Sequence, residues 1–396
     1  KDFCKMKTIC FVSMGELLVT KGGIHRVTYC LMNELKKRGY RCIYLFYPID
    51  ESCYYTGNVE DEVHKLSPEQ VENYLTQEKV DVVVNQQAIF STSFTKLVLG
   101  FNLRRFKYIS VFHNTPAIYE KTLTFSRLWY NFLHQRGVSA KMSNCVRMIV
   151  YPLWKQRVVK GAGKMYAVNY DASDKCVMLS SNDWPTLGRY LKHDVSEKCV
   201  TIHNPLTFDT IETAECLCHK KKNVLIVSRL NNFEKRLDRA LKIWKKIETG
   251  GFDDWHLYIV GWGLQEKMLH NLARKLKLRN VHFEGRQPSE PYYHNASIFM
   301  MTSAVEGWGL TLTESMQTGV VPIAFDSYPA LHEIITDRYD GCIIRDNDLD
   351  AYAVCMEELM RNRKERERIA RNGIESCKRF ETDKIIVQWV KLIESL

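Results

Sequence analysis

Short apolar runs alternate with helical periods along almost the whole chain. Residues 8–13, 42–47, 80–85, 108–113 and 176–180 are brief, apolar and rich in β-branched or aromatic side chains, as buried strands are. Residues 23–38 carry a helical period between the first two of these strands. After the charged run His219-Lys220-Lys221-Lys222 a second series begins. It has strands at 224–228, 255–260, 281–283, 297–301 and 320–325, with helices at 237–247 and 265–276 between them. Helical patterns at 348–363, 364–371 and 385–395 close the chain. Alternation of this kind predicts an α/β protein with parallel sheets covered by helices on both faces. Pro205, in Thr201-Ile202-His203-Asn204-Pro205, marks the expected linker. The expected domains are 1–205 and 206–378, with a closing helical segment at 379–396.

Composition narrows the class. A chain of 396 residues is long enough for two domains with separate cores, and 45% apolar with 26% charged residues is ordinary for a soluble globular protein. No run reaches the roughly eighteen apolar residues of a membrane span, and no secretory signal opens the chain. Met6 reads as a natural start, which would make Lys1–Lys5 non-native. The thirteen cysteines are scattered, odd in number and mostly within apolar runs, so reduced thiols in a cytoplasm are expected. Cys216-x-Cys218-His219 has no second ligand pair at usable spacing, so no metal is expected there.

The net charge of +10 is concentrated. From Lys121 to Tyr170 there is no Asp or Glu, while Lys121, Arg127, Arg136, Lys141, Arg147, Lys155, Arg157, Lys160 and Lys164 are basic. Aromatic and aliphatic residues are interleaved with them, Trp129 and Trp154 among them. Such a segment suits an anionic membrane surface; a solvated basic helix face with core aromatics is the plainer alternative. No nucleic-acid motif accompanies the charge.

The most informative stretch is Glu306-Gly307-Trp308-Gly309-Leu310-Thr311-Leu312-Thr313-Glu314. It follows the strand-like 298–301 and runs into a short helical pattern at 312–316, stopped by Gly319. A strand, a glycine turn and a helix start together make an anion site, because unpaired N–H groups converge there. Gly307 and Gly309 allow close backbone approach. Two carboxylates beside a phosphate site make sense if they bind neutral hydroxyls, one on a ribose and the other on a sugar. Arg229 at a strand end, with Lys235 six residues on, supplies two cations for a diphosphate. A glycine turn with solvated glutamates and two surface cations is the bland alternative.

The Glu-x7-Glu stretch with its internal Glu-Gly-Trp-Gly-Leu resembles the retaining glycosyltransferases of family 4. Three further segments match in order: Lys21-Gly22-Gly23-Ile24-His25-Arg26-Val27, Val224–Leu230 followed by Lys235-Arg236, and Leu257-Tyr258-Ile259-Val260-Gly261-Trp262-Gly263. The resemblance implies two Rossmann-like parallel-sheet domains facing across a cleft, the GT-B arrangement, with a C-terminal helix crossing back to the first domain. It implies that Arg229 and Lys235 neutralise the diphosphate, although the family's commonest spacing is five rather than six. N–H groups of Trp308, Gly309, Leu310 and Thr311 would hold the phosphates, with Gly307 in the same turn. Glu314, in the first helical turn, would bind the ribose, and Glu306 would sit by the donor sugar. Gly22 and Gly23 would approach the phosphates, Gly261 and Gly263 the nucleoside, and Arg286 the base. His113 matches a histidine that touches the donor sugar; a histidine satisfied within the core is the alternative. Asn114, Gln86 and Gln87 could line the acceptor side.

The implied chemistry is retention at the anomeric carbon, with a nucleoside-diphosphate sugar, UDP-linked, as co-substrate. The resemblance implies no other cofactor and no metal. The expected role is extension of a lipid-linked glycan in capsule or lipopolysaccharide assembly, by a cytoplasmic enzyme peripheral to the inner face of the membrane. A soluble transferase with a small acceptor and a silent nucleotide-sugar-binding protein remain as alternatives. A Rossmann oxidoreductase is disfavoured, because no Gly-x-Gly-x-x-Gly follows the first strand.

Overall fold

The computed structural model describes residues 7–15, 17, 22–47, 63–89, 92–101, 104–135 and 137–396. Lys21 of the first glycine motif, Arg136 of the basic stretch and Met6 with the five residues before it lie outside the described residues. The chain divides into two compact units. One comprises Lys1–Glu120, Cys145–Thr207 and Phe380–Leu396; the other comprises Lys121–Asn144 and Phe208–Arg379.

The first unit is built on a seven-stranded sheet: β1 (Thr8–Ser13), β2 (Arg41–Phe46), β3 (Val63–Lys65), β4 (Val82–Asn85), β5 (Lys107–Phe112), β6 (Lys175–Met178) and β7 (Cys199–Thr201). All pairs are parallel and the order is β3-β2-β1-β4-β5-β6-β7. Strand order therefore reverses between β1 and β4. Helices cover the sheet because its central strands are apolar on both faces; β1 and β4 are buried throughout. The helix Thr382–Glu394 packs on the helix Gly23–Lys37 of this unit, burying Ile385, Ile386, Trp389, Leu392 and Ile393. Lys7 donates to the Ile393 carbonyl at 2.8 Å, and Tyr40 donates to the Glu394 carboxylate at 2.7 Å.

The second unit has a six-stranded parallel sheet: β8 (Asn223–Val227), β9 (His256–Val260), β10 (Val281–Gly285), β11 (Ile298–Met301), β12 (Val321–Asp326) and β13 (Cys342–Arg345). Its order is β10-β9-β8-β11-β12-β13, so the reversal falls between β8 and β11. In open parallel sheets, ligands bind beyond the carboxyl ends of the strands that flank such a reversal. The core beneath is a continuous cluster in which Trp244 and Trp255 are buried with Leu257, Ile298 and Ile323.

One boundary differs from the sequence reading. Residues 121–144, expected in the first domain, pack with the second unit. Lys121 donates to the Ser327 carbonyl, and Tyr130 packs edge-on against Phe233 with ring centroids 5.4 Å apart. The reason is aromatic: Phe233 also lies 5.8 Å from the Arg127 guanidinium, so the helix Phe125–His134 has its partners there. Strands β3, β7 and β13 were not expected. They hold three or four residues at sheet edges, too few for a period to register.

Trp389 is 3% exposed on the returning helix, so Trp389→Ala should lower stability by about 3–5 kcal/mol through loss of buried area and the cavity left behind. Urea denaturation checks this; an unchanged midpoint would mean that the helix adds little to the core of the first unit.

Candidate active site

β11 and β8 are neighbours, so the loops that leave their carboxyl ends are neighbours as well. After β11 the chain runs through Thr302–Gly309 without regular structure and then enters the helix Leu310–Gln317. Two contacts tie this loop to the short helix Asn232–Lys235 that follows β8. Ala304 N–H donates to the Glu234 carbonyl at 2.7 Å, and the Thr302 hydroxyl donates to the Lys235 carbonyl at 2.9 Å. Gly309 starts the helix from a left-handed conformation, φ 106°. A Cβ there would lie 2.7 Å from the Tyr328 hydroxyl, so glycine is required on both counts. The helix has no side-chain cap and no acid in its first turn. Leu310 and Thr311 stay partly exposed at its start, whereas Gly307, Trp308 and Gly309 are buried. An uncapped helix start of this kind attracts anions.

Of the two basic candidates after β8, Lys235 meets the loop. Its Nζ lies 2.5 Å from Glu306 Oε1, and both side chains are only 15% exposed. The Ser303 hydroxyl donates to the same carboxylate oxygen at 2.7 Å. Arg236 adopts φ 50° and turns instead to Asp346, 2.6 Å away. Arg229 is 71% exposed and pairs with Glu234 at 3.0 Å. Both cations are thus held by carboxylates one short helix apart, and Glu234 is a participant that the sequence reading missed. The only signal for it was a carboxylate five residues after Arg229.

Glu314 is a correction. The helix begins at Leu310 rather than at 312, because Gly309 supplies the turn, so Glu314 falls in the second turn. Its side chain is fully buried and accepts a hydrogen bond from the Tyr293 hydroxyl at 3.0 Å. The far end of the helix agrees with the pattern: Gly319 has φ 68°, with Val320 N–H donating to the Ser315 carbonyl at 2.8 Å.

Gly261 and Gly263 serve close packing of strand ends. A Cβ at Gly261 would lie 1.8 Å from the Ser228 carbonyl oxygen, and one at Gly263 would meet Leu230 backbone at 2.8 Å. Between them Trp262 is 57% exposed, with the Arg286 guanidinium 6.0 Å from its ring. Trp262 was not among the expected site residues, because the sequence does not show that its indole is exposed.

In the first unit, Gly22 (φ 150°) precedes the helix that starts at Gly23, which also has no side-chain cap. His113 follows β5 and Gln86 follows β4; His113 Nε2 lies 2.6 Å from Gln86 Oε1. Desolvation lowers the His113 pKa from 6.5 to about 4, so the ring is neutral near pH 7. The Gln86 amide nitrogen is buried with no hydrogen-bond partner. Gln87 uses its side-chain oxygen to accept from Met14 N–H at 3.0 Å, which holds the chain leaving β1. Asn114 is partly exposed beside His113.

Residues 209–376 match the family described as glycosyl transferases group 1. The chain is similar to an uncharacterised glycosyltransferase of Haemophilus influenzae, 28% identical over 52% of this chain and 56% of that protein. It is also similar to a Campylobacter jejuni α-1,4-N-acetyl-D-galactosaminyltransferase, whose name gives an undecaprenol-diphosphate-linked glycan as acceptor. The identity there is 26% over 57% of this chain and 61% of that protein. These matches span less than two thirds of the length of either relative. Among solved structures, Anabaena HepE in complex with UDP-glucose superposes with a TM-score of 0.73 at 14% identity, covering 98% of this chain and all of that one. The fold is accordingly that of the GT-B glycosyltransferases.

The His113 shift has a measurable sign. The folded chain favours the neutral ring, so the unfolded chain takes up the proton first. The contribution is complete above pH 6.5 and is lost as pH falls towards about 4. The stability difference between wild type and His113→Asn should shrink over that window. Denaturation of both proteins at a series of pH values checks it, and a pH-independent difference would contradict it.

Proposed function

We propose that this protein is a retaining glycosyltransferase. It moves a sugar from a nucleoside-diphosphate sugar, UDP-linked, to a lipid-linked glycan acceptor in bacterial surface polysaccharide synthesis. One observation carries the reading: Lys235, Glu306 and the uncapped start of the helix Leu310–Gln317 stand together where the second sheet reverses its strand order. Cations beside unsatisfied N–H groups suit a diphosphate leaving group, whose charge grows as the bond to the sugar breaks. The UDP-glucose in the HepE structure supports the donor class, and the name of the Campylobacter relative supports a lipid-linked acceptor.

In this reading the Lys235–Glu306 pair does two jobs. Before the donor arrives, Glu306 neutralises an ammonium that is mostly out of solvent, which avoids the cost of a lone buried charge. When the diphosphate binds, Lys235 acquires a second anionic partner and Glu306 can turn to the positive charge developing at the anomeric carbon. Arg229, on the surface and held by Glu234, moves more freely onto a phosphate oxygen. The acceptor attacks the face that the diphosphate leaves, and a phosphate oxygen takes its proton. A screen of mass-detected nucleotide sugars for slow hydrolysis tests the activity and names the donor; no turnover of any nucleotide sugar, with or without lipid extract as acceptor, would overturn it.

Two further outcomes are expected. Arg229→Ala should lower turnover by roughly 10²-fold, the usual loss when one group that stabilises developing charge is removed. Activity within about threefold of wild type, well under the tenfold that 1.4 kcal/mol represents, would remove Arg229 from the diphosphate site. Glu306→Gln should depress turnover while calorimetric titration shows UDP binding no weaker than in wild type, because the carboxylate shares Lys235 with the diphosphate. UDP affinity that falls as far as turnover would refute that role.

A further inference from the structure

The helix Val138–Ile149 is built inside out. Val138, Met142, Val146 and Ile149 recur at helical spacing and are 55–79% exposed, while Asn144 on another face is buried. Asn144 donates to the Gln135 side chain at 2.5 Å, which accounts for a polar residue on the inner face. The preceding helix, Phe125–His134, shows the same habit: Leu128 faces inward, while Trp129 and Leu133 are half exposed. Soluble monomers seldom leave contiguous apolar surface of this kind uncovered. Around the stripe, Lys141 and Arg147 are exposed, and the whole run from Lys121 to Tyr170 has no acidic side chain.

We propose that this apolar stripe inserts into the interfacial region of an anionic lipid bilayer, with the flanking basic residues on headgroup phosphates. Charge decides the occupant. A protein partner or a second copy of this chain could cover apolar side chains, but only an anionic surface also matches a run of fifty residues without one carboxylate. Length decides the depth. Among the described residues no helix is long and apolar enough to cross a membrane, so the stripe lies in the surface plane. The structure also refines which side chains take part. Trp129 stands half exposed, whereas Trp154 is partly buried with the Arg147 guanidinium 5.9 Å from its ring. Insertion and electrostatic adsorption differ in what salt does to them: at about 1 M the Debye length falls to about 3 Å, which removes charge attraction and leaves apolar burial intact.

The inference does not rest on sugar transfer, since binding is read without catalysis. The experiment is co-sedimentation of the full chain with phosphatidylcholine vesicles, with and without phosphatidylglycerol, at low and high salt. Wild type should bind the anionic vesicles at low salt and keep a measurable fraction bound at high salt. Met142→Ser with Ile149→Ser should lower binding at least tenfold in both salts with an unchanged melting curve, because both side chains are solvent-exposed. Arg147→Gln, Lys155→Gln and Arg157→Gln together should weaken binding at low salt only. Failure of wild type to bind anionic vesicles, or complete release at high salt, overturns insertion without recourse to any variant. Wild type that instead forms a concentration-dependent dimer, lost in the Met142/Ile149 variant, would assign the stripe to a second copy and overturn it equally.

Discussion

Gly309 holds a backbone angle that a side chain would not tolerate, with a tyrosine hydroxyl filling the space where its Cβ would be. From that constraint follow the start of the helix Leu310–Gln317, the uncapped N–H groups at its tip and the depth of Glu314. It also fixes where the preceding loop must run. Because β11 lies beside β8, the loop reaches the short helix carrying Lys235 and is fastened to it through backbone contacts of Ala304 and Thr302.

Charge in the site is balanced before any ligand is present. Lys235 has Glu306, Arg229 has Glu234, and Arg236 is drawn away by Asp346. The pairs differ in exposure. The Lys235–Glu306 pair is mostly out of solvent, so removing either partner leaves a charge with little water to screen it. The Arg229–Glu234 pair is open to solvent on the arginine side and contributes little to stability. Rearrangement is therefore easier at Arg229 than at Lys235.

Much of this was legible in the sequence, for identifiable reasons. Central strands such as residues 8–13 and 298–301 are apolar on both faces, and long amphipathic helices such as 237–247 carry several turns of period, so both survive reading without context. The glycine turn before the helix Leu310–Gln317 was legible because glycines mark turns in the residue types themselves. What escaped depended on partners far away in sequence. Residues 121–144 read as part of the first unit because nothing local reveals Phe233 as their packing partner. Glu234 went unnamed because nothing local in the sequence places it against Arg229. The run 121–170 read as one basic, aromatic-rich segment, and composition does not say which face of the helix Val138–Ile149 is inward; the burial of Asn144 does.

The proposed chemistry depends most directly on where a nucleoside diphosphate binds. A crystal structure of the chain with UDP decides it. Phosphate oxygens should lie within hydrogen-bonding distance of the Leu310 and Thr311 N–H groups, with Lys235 Nζ on the same diphosphate. UDP bound with its phosphates away from the start of the helix Leu310–Gln317, and Lys235 still paired only with Glu306, would contradict it.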